Sequence, residues 1–172
     1  FLRLTTFTNT YAHTITNMTP WAFNTTAYSA LCENTVKKIS CHDPEVRSLL
    51  EECVGYCFFR QNELSKSFIL TGSGSNGKST FLDMVRNVLG RQNYVSLDMD
   101  ELSERFSVTT MFGKLANIGD DISDEFLQGK QIAQFKKLVS GNDIKAENKG
   151  QDAYFYKPTV KLLFSANEIP RM

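Results

Sequence analysis

The chain has 172 residues, 41% of them apolar, and its 19 basic and 19 acidic side chains cancel to a formal net charge of zero. This length suits one domain with at most a small appendage, and the apolar share is that of a folded, soluble protein. No apolar run approaches the roughly 18 residues of a membrane span, so no membrane partner is expected. The neutral total hides a local asymmetry. Asp98–Glu125 carries eight acidic and two basic side chains, and Lys130–Arg171 carries eight basic and four acidic ones.

In chain order, residues 1–42 form a poorly patterned N-terminal segment. Ten Thr fall within the first 40 residues, and Trp21 and Phe23 are the evident anchors. Phe1–Thr10 lacks the continuous apolar core of a signal peptide. The four cysteines, Cys32, Cys41, Cys53 and Cys57, include no C-x-x-C pair. A zinc site built from Cys32, Cys41, His42 and Cys53 or Cys57 therefore has little support. Cys53 and Cys57 are four apart and read as core packing. The absence of a disulfide pattern fits a reducing, cytoplasmic setting.

Residues 43–66 read as a helical lead-in. Asp43-Pro44 is an N-cap followed by proline at the first helical position. Val46, Leu49, Leu50, Cys53, Val54 and Cys57 recur at helical spacing and predict a helix to about Arg60. Residues 67–172 then alternate strands with helices. Ser67–Thr71 reads as a buried parallel strand, Gly72–Gly77 as a glycine-rich turn, and Lys78–Leu89 as a helix stopped by Gly90. Tyr94–Leu97 is a second strand. Leu115–Ile118 is a third, weakened by Asn117. Ile132, Phe135, Leu138 and Val139 mark a helix before Gly141. Ile144–Phe155 reads as a lysine-bearing hairpin, and Val160–Ser165 as a strand running into Ala166-Asn167. This alternation predicts an α/β fold: a P-loop NTPase core with a mostly parallel sheet flanked by helices, preceded by a small helical segment.

The chemistry concentrates at three places. Gly72-Ser73-Gly74-Ser75-Asn76-Gly77-Lys78-Ser79, followed by Thr80, satisfies G-x-x-x-x-G-K-[ST] at every fixed position. Such a loop curls its N–H groups around phosphate oxygens, and the helix that follows adds its positive dipole end. Lys78 is expected to reach the β- and γ-phosphates of ATP, and Ser79 to ligate Mg²⁺. The bland alternative is a flexible glycine loop. Asp120-Asp121 follow the strand that runs to Gly119, and there Asp120 could hold Mg²⁺ and Asp121 could orient the attacking water. The bland alternative is a solvated acidic turn continued by Asp124 and Glu125. Asn167 ends an apolar strand, where a neutral amide could touch the γ-phosphate and the water. The bland alternative is an ordinary turn asparagine.

Four runs taken together resemble the superfamily 3 helicases, most closely the helicase domain of phage and plasmid primase–helicase proteins. They are Phe68–Gly72 with Asn76–Thr80, Asn117–Asp121, Lys136–Gly141, and Leu163–Arg171. The resemblance covers about Asp43 to Met172. It implies an AAA+-like ATPase forming a ring, normally a hexamer, that moves on single-stranded DNA. It also implies a bacterial host cytoplasm if the protein is phage-encoded. By this resemblance Asp120 and Asp121 match the Walker B acids and Asn167 the sensor asparagine. The Lys136–Lys149 region matches the segment containing a DNA-contacting hairpin, which makes Lys145 and Lys149 the candidate DNA-binding residues. The family's arginine finger usually follows the sensor motif, and Arg171 stands too close to Asn167 for that role. The chain lacks an initiating Met and stops at Met172, so a fragment is expected, one that hydrolyses ATP only weakly when isolated. Two other readings share the loop: a nucleoside or nucleotide kinase, and a non-catalytic nucleotide-binding assembly module. A kinase of that type needs clustered lid arginines, whereas Arg86, Arg91, Arg105 and Arg171 are scattered.

Overall fold

The structure is a computed structural model that describes residues 17–104, 106–122 and 129–167, with the backbone but not the side chains of Asp120 and Asp121. The first regular element among the described residues lies in the segment that the sequence pattern left unassigned. Helix α1 spans Ala30–Ile39 and begins at Ser29, whose hydroxyl accepts from the Cys32 N–H. Glu33 in its first turn and Lys37 and Lys38 in its last complement the helix dipole. Cys32, Val36 and Ile39 recur at i, i+4 and i+7 along it. Ahead of α1, Trp21 does anchor the chain, through a hydrogen bond and not through burial. Its indole N–H donates to the Asn87 carbonyl at 2.8 Å, while Trp21 and Phe23 are 63% and 61% exposed.

Helix α2 spans Pro44–Phe58, two residues short of Arg60, and Asp43 caps it by accepting from the Glu45 and Val46 N–H groups. Its buried face is narrower than expected. Leu50, Cys53, Tyr56 and Cys57 are buried, whereas Val46 and Leu49 are exposed. Cys53 and Cys57 thus pack in the core, and burial pushes both thiols well above the ordinary thiol range. Cys32 and Cys41 are exposed, and no His, Cys, Asp or Glu cluster among the described residues could hold a metal ion. None of the described helices is long and apolar enough to cross a membrane.

Four strands, β1 (Phe68–Thr71), β2 (Tyr94–Val95), β3 (Ala116–Asp121) and β6 (Lys161–Ala166), form a sheet in the order β1-β6-β3-β2, with every pair parallel. Helix α3 (Lys78–Leu89) follows β1, a short helix α4 (Ser107–Thr110) precedes β3, and α5 (Gly129–Ser140) follows it. Strands β4 (Ile144–Ala146) and β5 (Tyr154–Tyr156) pair antiparallel as the expected hairpin. All six residues of β6 are buried. Leu162, Phe164 and Ala166 pack with Leu138 of α5 and with Ile144 and Ala146 of β4. Leu163 packs with α2 and α3 through Cys53, Cys57, Phe81, Leu82 and Val85. The sheet is therefore covered on both faces, as a parallel sheet must be.

Two expected details change. The second strand covers only Tyr94–Val95, and Asn117 does not weaken its strand. Asn117 is fully buried. Its side chain accepts from the Leu97 N–H at 2.9 Å and donates to the Leu97 carbonyl at 3.0 Å. A side-chain amide thus replaces the main-chain ladder just past β2 and holds residue 97 against β3. Further along, the β3–β6 register shifts: Ile118 faces Leu163 but Asp121 faces Ser165. Three steps on β3 match two on β6, which is a bulge. Gly119 sits in it, and a Cβ there would lie 2.5 Å from the Phe164 ring and 2.7 Å from the Leu97 carbonyl.

Lys161 is also buried. Its ammonium donates to Gln61 O, Asn62 Oδ1 and Thr159 O at 3.0, 2.6 and 2.8 Å, and it stands 4.6 Å from the centre of the Tyr56 ring. Burial draws its pKa down to about 8. Asn62 in turn donates to Leu138 O at 2.8 Å, tying α5 to the start of β6.

Replacing Asn117 by Ala strands both backbone groups of Leu97. The expected loss is about 2–3 kcal/mol, read by chemical denaturation.

Candidate functional site

β1, β6 and β3 run parallel, so their carboxyl ends finish along one edge. Thr71 pairs with Ala166, and the Gly72 N–H donates to the Ala166 carbonyl at 3.3 Å. The glycine turn therefore starts beside Asn167. It ends at Gly77, the N-cap of α3, in the left-handed region at φ 90 with no side-chain cap. The first-turn N–H groups of α3 thus lack a side-chain acceptor, and such a helix start favours an anion. Ser75 is left-handed too, at φ 61.

A cavity of about 420 Å³ opens here, lined by Gly74, Ser75, Asn76, Gly77, Lys78, Ser79, Thr80 and Asn167. Its lining offers hydroxyl, amide, ammonium and backbone groups and no apolar side chain. Lys78 Nζ donates to the Gly72 carbonyl and lies 3.5 Å from Asn167 Oδ1. The lysine thus bridges the start of the loop and the end of β6 across 89 residues of sequence. Gly72 and Ser73 form the first limb of the turn but are not among the lining residues. β3 ends at the same edge, with Asp121 in register with Ser165 and the Ile122 N–H donating to Ser165 O at 2.8 Å. The backbone of Asp120 and Asp121 is brought to this edge, while their side chains, like Asp124, Glu125, Arg105 and Arg171, lie outside the described residues.

The two candidate DNA-binding lysines are elsewhere. Lys145 is exposed on β4, opposite Phe155, and lines a separate cavity of about 380 Å³ with Lys130, Gln134 and Glu147. Lys149 is exposed in the β4–β5 turn. That turn is closed by the Gln151 N–H on Asn148 O and by a bond between the Asn148 and Gln151 side chains.

The pattern of the sequence did not point to the other side of the loop. A cavity of about 470 Å³ shares Ser75, Asn76, Gly77 and Thr80 with the first and is completed by Thr35, Lys38, Ile39 and Cys41. The available signal was the Ser29 cap followed by the Cys32, Val36 and Ile39 spacing. Only the folded chain brings that helix to the loop, where a Cβ on Gly77 would lie 2.8 Å from Ile39 Cγ1.

Comparison with known proteins adds three findings. The profile of a family of unknown function, DUF5906, matches residues 70–172. Two viral proteins provisionally named helicases are similar in sequence. L207/L206 of Acanthamoeba polyphaga mimivirus is 28% identical over 78% of this chain, and 121R of Invertebrate iridescent virus 3 is 26% identical over 74%. The chain spans only 14% and 15% of their lengths. Among solved structures, the C-terminal region of NrS-1 superposes with a TM-score of 0.67 at 12% identity, over 81% of this chain and 34% of that one. JCV helicase superposes with a TM-score of 0.50 at 12% identity, over 80% and 40%. These solved proteins share the α/β fold with its parallel sheet.

The loop geometry yields a paired expectation. Gly77→Ala combines a left-handed backbone with a Cβ 2.8 Å from Ile39 and is expected to cost about 1–3 kcal/mol. Gly74→Ala meets nothing within 4 Å and is expected to stay within about 0.5 kcal/mol of wild type. Thermal unfolding of the two variants makes the comparison.

Proposed function

We propose that this chain, which belongs to the family of unknown function DUF5906, is the ATP-hydrolysing core of a DNA helicase of the superfamily 3 type. In this reading the full-length protein forms a ring, a hexamer, and moves on single-stranded DNA. One observation carries the proposal. A loop matching the nucleotide-binding pattern and a strand-end asparagine 89 residues from Lys78 converge through that lysine on one cavity lined by glycine and polar residues. The names of the two viral relatives support the helicase assignment.

The roles follow from the positions. Loop N–H groups and the start of α3 hold phosphate oxygens. Lys78, now donating to Gly72 O and near Asn167, exchanges those carbonyl acceptors for β- and γ-phosphate oxygens. The Ser79 hydroxyl and the acidic end of β3 are hard oxygen donors that suit Mg²⁺, which when bound supplies charge neutralisation across the phosphates. Asp121 orients the attacking water, and the Asn167 amide touches the γ-phosphate and that water without adding charge. Lys145 and Lys149 on the hairpin meet DNA phosphates, a sequence-independent and salt-sensitive contact.

The kinase reading is less well supported. Two of the four arginines it would recruit are engaged in the fold. Arg86 binds Asp83 and the Ile118 carbonyl, and Arg91 binds the Tyr94 carbonyl and lies over its ring.

In the full-length protein, Lys78→Ala is expected to abolish ATP binding or turnover with the fold retained. Asp120→Asn and Asp121→Asn are expected to lower hydrolysis roughly 100-fold or more, with ATP affinity surviving better in the Asp121 variant. Steady-state ATPase rates and nucleotide titrations check this, and normal turnover in all three variants refutes it. ATP binding with no hydrolysis by the wild type would favour the assembly module instead.

Lys149→Ala is expected to weaken single-stranded DNA binding and abolish unwinding while basal ATPase persists. It should also flatten the dependence of log affinity on log salt by about one phosphate contact. Identical salt titrations for variant and wild type would assign Lys149 to the solvent.

A further inference from the structure

The polar cavity at the loop accounts for only half of a nucleotide. It offers phosphate-binding groups and no apolar side chain, whereas a nucleoside presents a flat apolar heterocycle on a polar sugar. The adjoining cavity supplies what is missing. It shares Ser75, Asn76, Gly77 and Thr80 with the phosphate cavity and adds Thr35, Lys38, Ile39 and Cys41 from α1 and the turn after it. The two volumes, about 420 and 470 Å³, are each within the usual range for small-ligand sites. A ligand with its phosphates in one and its base in the other straddles the junction of loop and helix.

A second observation falls on the same wall. Helix α1 closes with the Cys41 N–H on Lys38 O at 3.0 Å and the His42 N–H on Lys37 O at 2.9 Å. This is the closure in which the residue just past the cap turns left-handed and is most often glycine. Here Cys41 takes that place at φ 53, and His42 follows at φ 63. Each such residue costs on the order of 1–2 kcal/mol, and strain of this kind concentrates at ligand clamps. Glycine would relieve the strain at position 41 but would remove the side chain that lines the cavity.

We propose that the base and ribose of the bound nucleotide lie in the α1-side cavity against Ile39 and Cys41, so that nucleotide occupancy shields the Cys41 thiol. This rests on the phosphate-site reading of the 72–80 loop and extends it to the other half of the ligand. Ile39 contributes an aliphatic surface and is already in contact with Gly77, so α1 and the phosphate loop are held to one another. The Lys38 ammonium provides a donor at the sugar edge. The wall carries no aromatic ring, so base contact is aliphatic and thiol packing.

The test is alkylation of the wild-type chain with N-ethylmaleimide, with rates read for each cysteine by peptide mass spectrometry. Cys32 is an internal control. It is exposed like Cys41 but lines a different cavity, with Glu33, Arg47 and Val88. Cys53 and Cys57 are buried. With ATP and Mg²⁺ at ten times the dissociation constant, Cys41 is expected to react about tenfold more slowly, as occupancy dictates, while Cys32 changes less than twofold. Inorganic tripolyphosphate, which carries phosphates without a nucleoside, is expected to compete with ATP and leave the Cys41 rate unchanged. Three results overturn the proposal. If ATP binds by equilibrium dialysis yet Cys41 is unprotected, the base lies elsewhere and the phosphate site stands. If tripolyphosphate protects Cys41 as ATP does, closure of the loop is the cause and not a base. If neither ligand binds, the phosphate-site reading falls as well. An Ile39→Ser variant gives an independent check: ATP affinity should fall several-fold while tripolyphosphate affinity is kept.

Discussion

The parallel pairing of β1 with β6 is the constraint on which the site depends. Four registered pairs, from Phe68 with Leu163 to Thr71 with Ala166, end one residue before Gly72 on one side and Asn167 on the other. A slip of one residue would turn every side chain of β6 to the opposite face. Leu162, Phe164 and Ala166 would then face the α2–α3 layer, while Lys161, Leu163 and Ser165 would enter the cluster around Leu138. Since β6 is buried along its whole length, neither face tolerates the exchange. The separation of Lys78 and Asn167 is thus set by hydrophobic burial several residues away.

Buried polar groups sharpen that register. Lys161 has three donors, and Gln61, Asn62 and Thr159 offer three acceptors at hydrogen-bond distance. An ammonium taken out of water is costly unless so matched, and one position along the strand provides the match. Asn117 acts similarly on the other side of the sheet. By binding both polar groups of Leu97 it holds that residue against β3, close beside Gly119, in the stretch between Ile118 and Asp121 where the pairing with β6 shifts. Fully satisfied networks of this kind specify one arrangement.

The sheet edge that carries Gly72 and Asn167 and the lysine hairpin belong to one packed body. Ile144 and Ala146 of the hairpin share a cluster with Phe164 and Ala166 of β6. On the far side of the hairpin, Phe112 meets the Tyr154 and Tyr156 rings edge-on, and the Tyr156 hydroxyl donates to Val108 O at 2.7 Å. A shift at the end of β6 therefore meets contiguous packing up to the base of the hairpin.

What the sequence determined by itself is what short spacing encodes. The loop Gly72–Ser79, its flanking strand and helix, the Asp43 cap and the hairpin turn are each set by residues fewer than about a dozen apart, and glycine, proline and helical periodicity report such local demands directly. The asparagine at the end of an apolar strand was legible for the same reason. Tertiary structure decided the rest. Asn117 read as a flaw because its partner, Leu97, lies 20 residues away. Nothing in the strand pattern around Lys161 marked its role, because its acceptors on Gln61 and Asn62 are about 100 residues away. Helix α1 left only a faint pattern, since it buries a few side chains against α3 and the loop and has no wholly buried residue of its own. Pairing over such distances depends on where the whole chain comes together, and no local spacing records that.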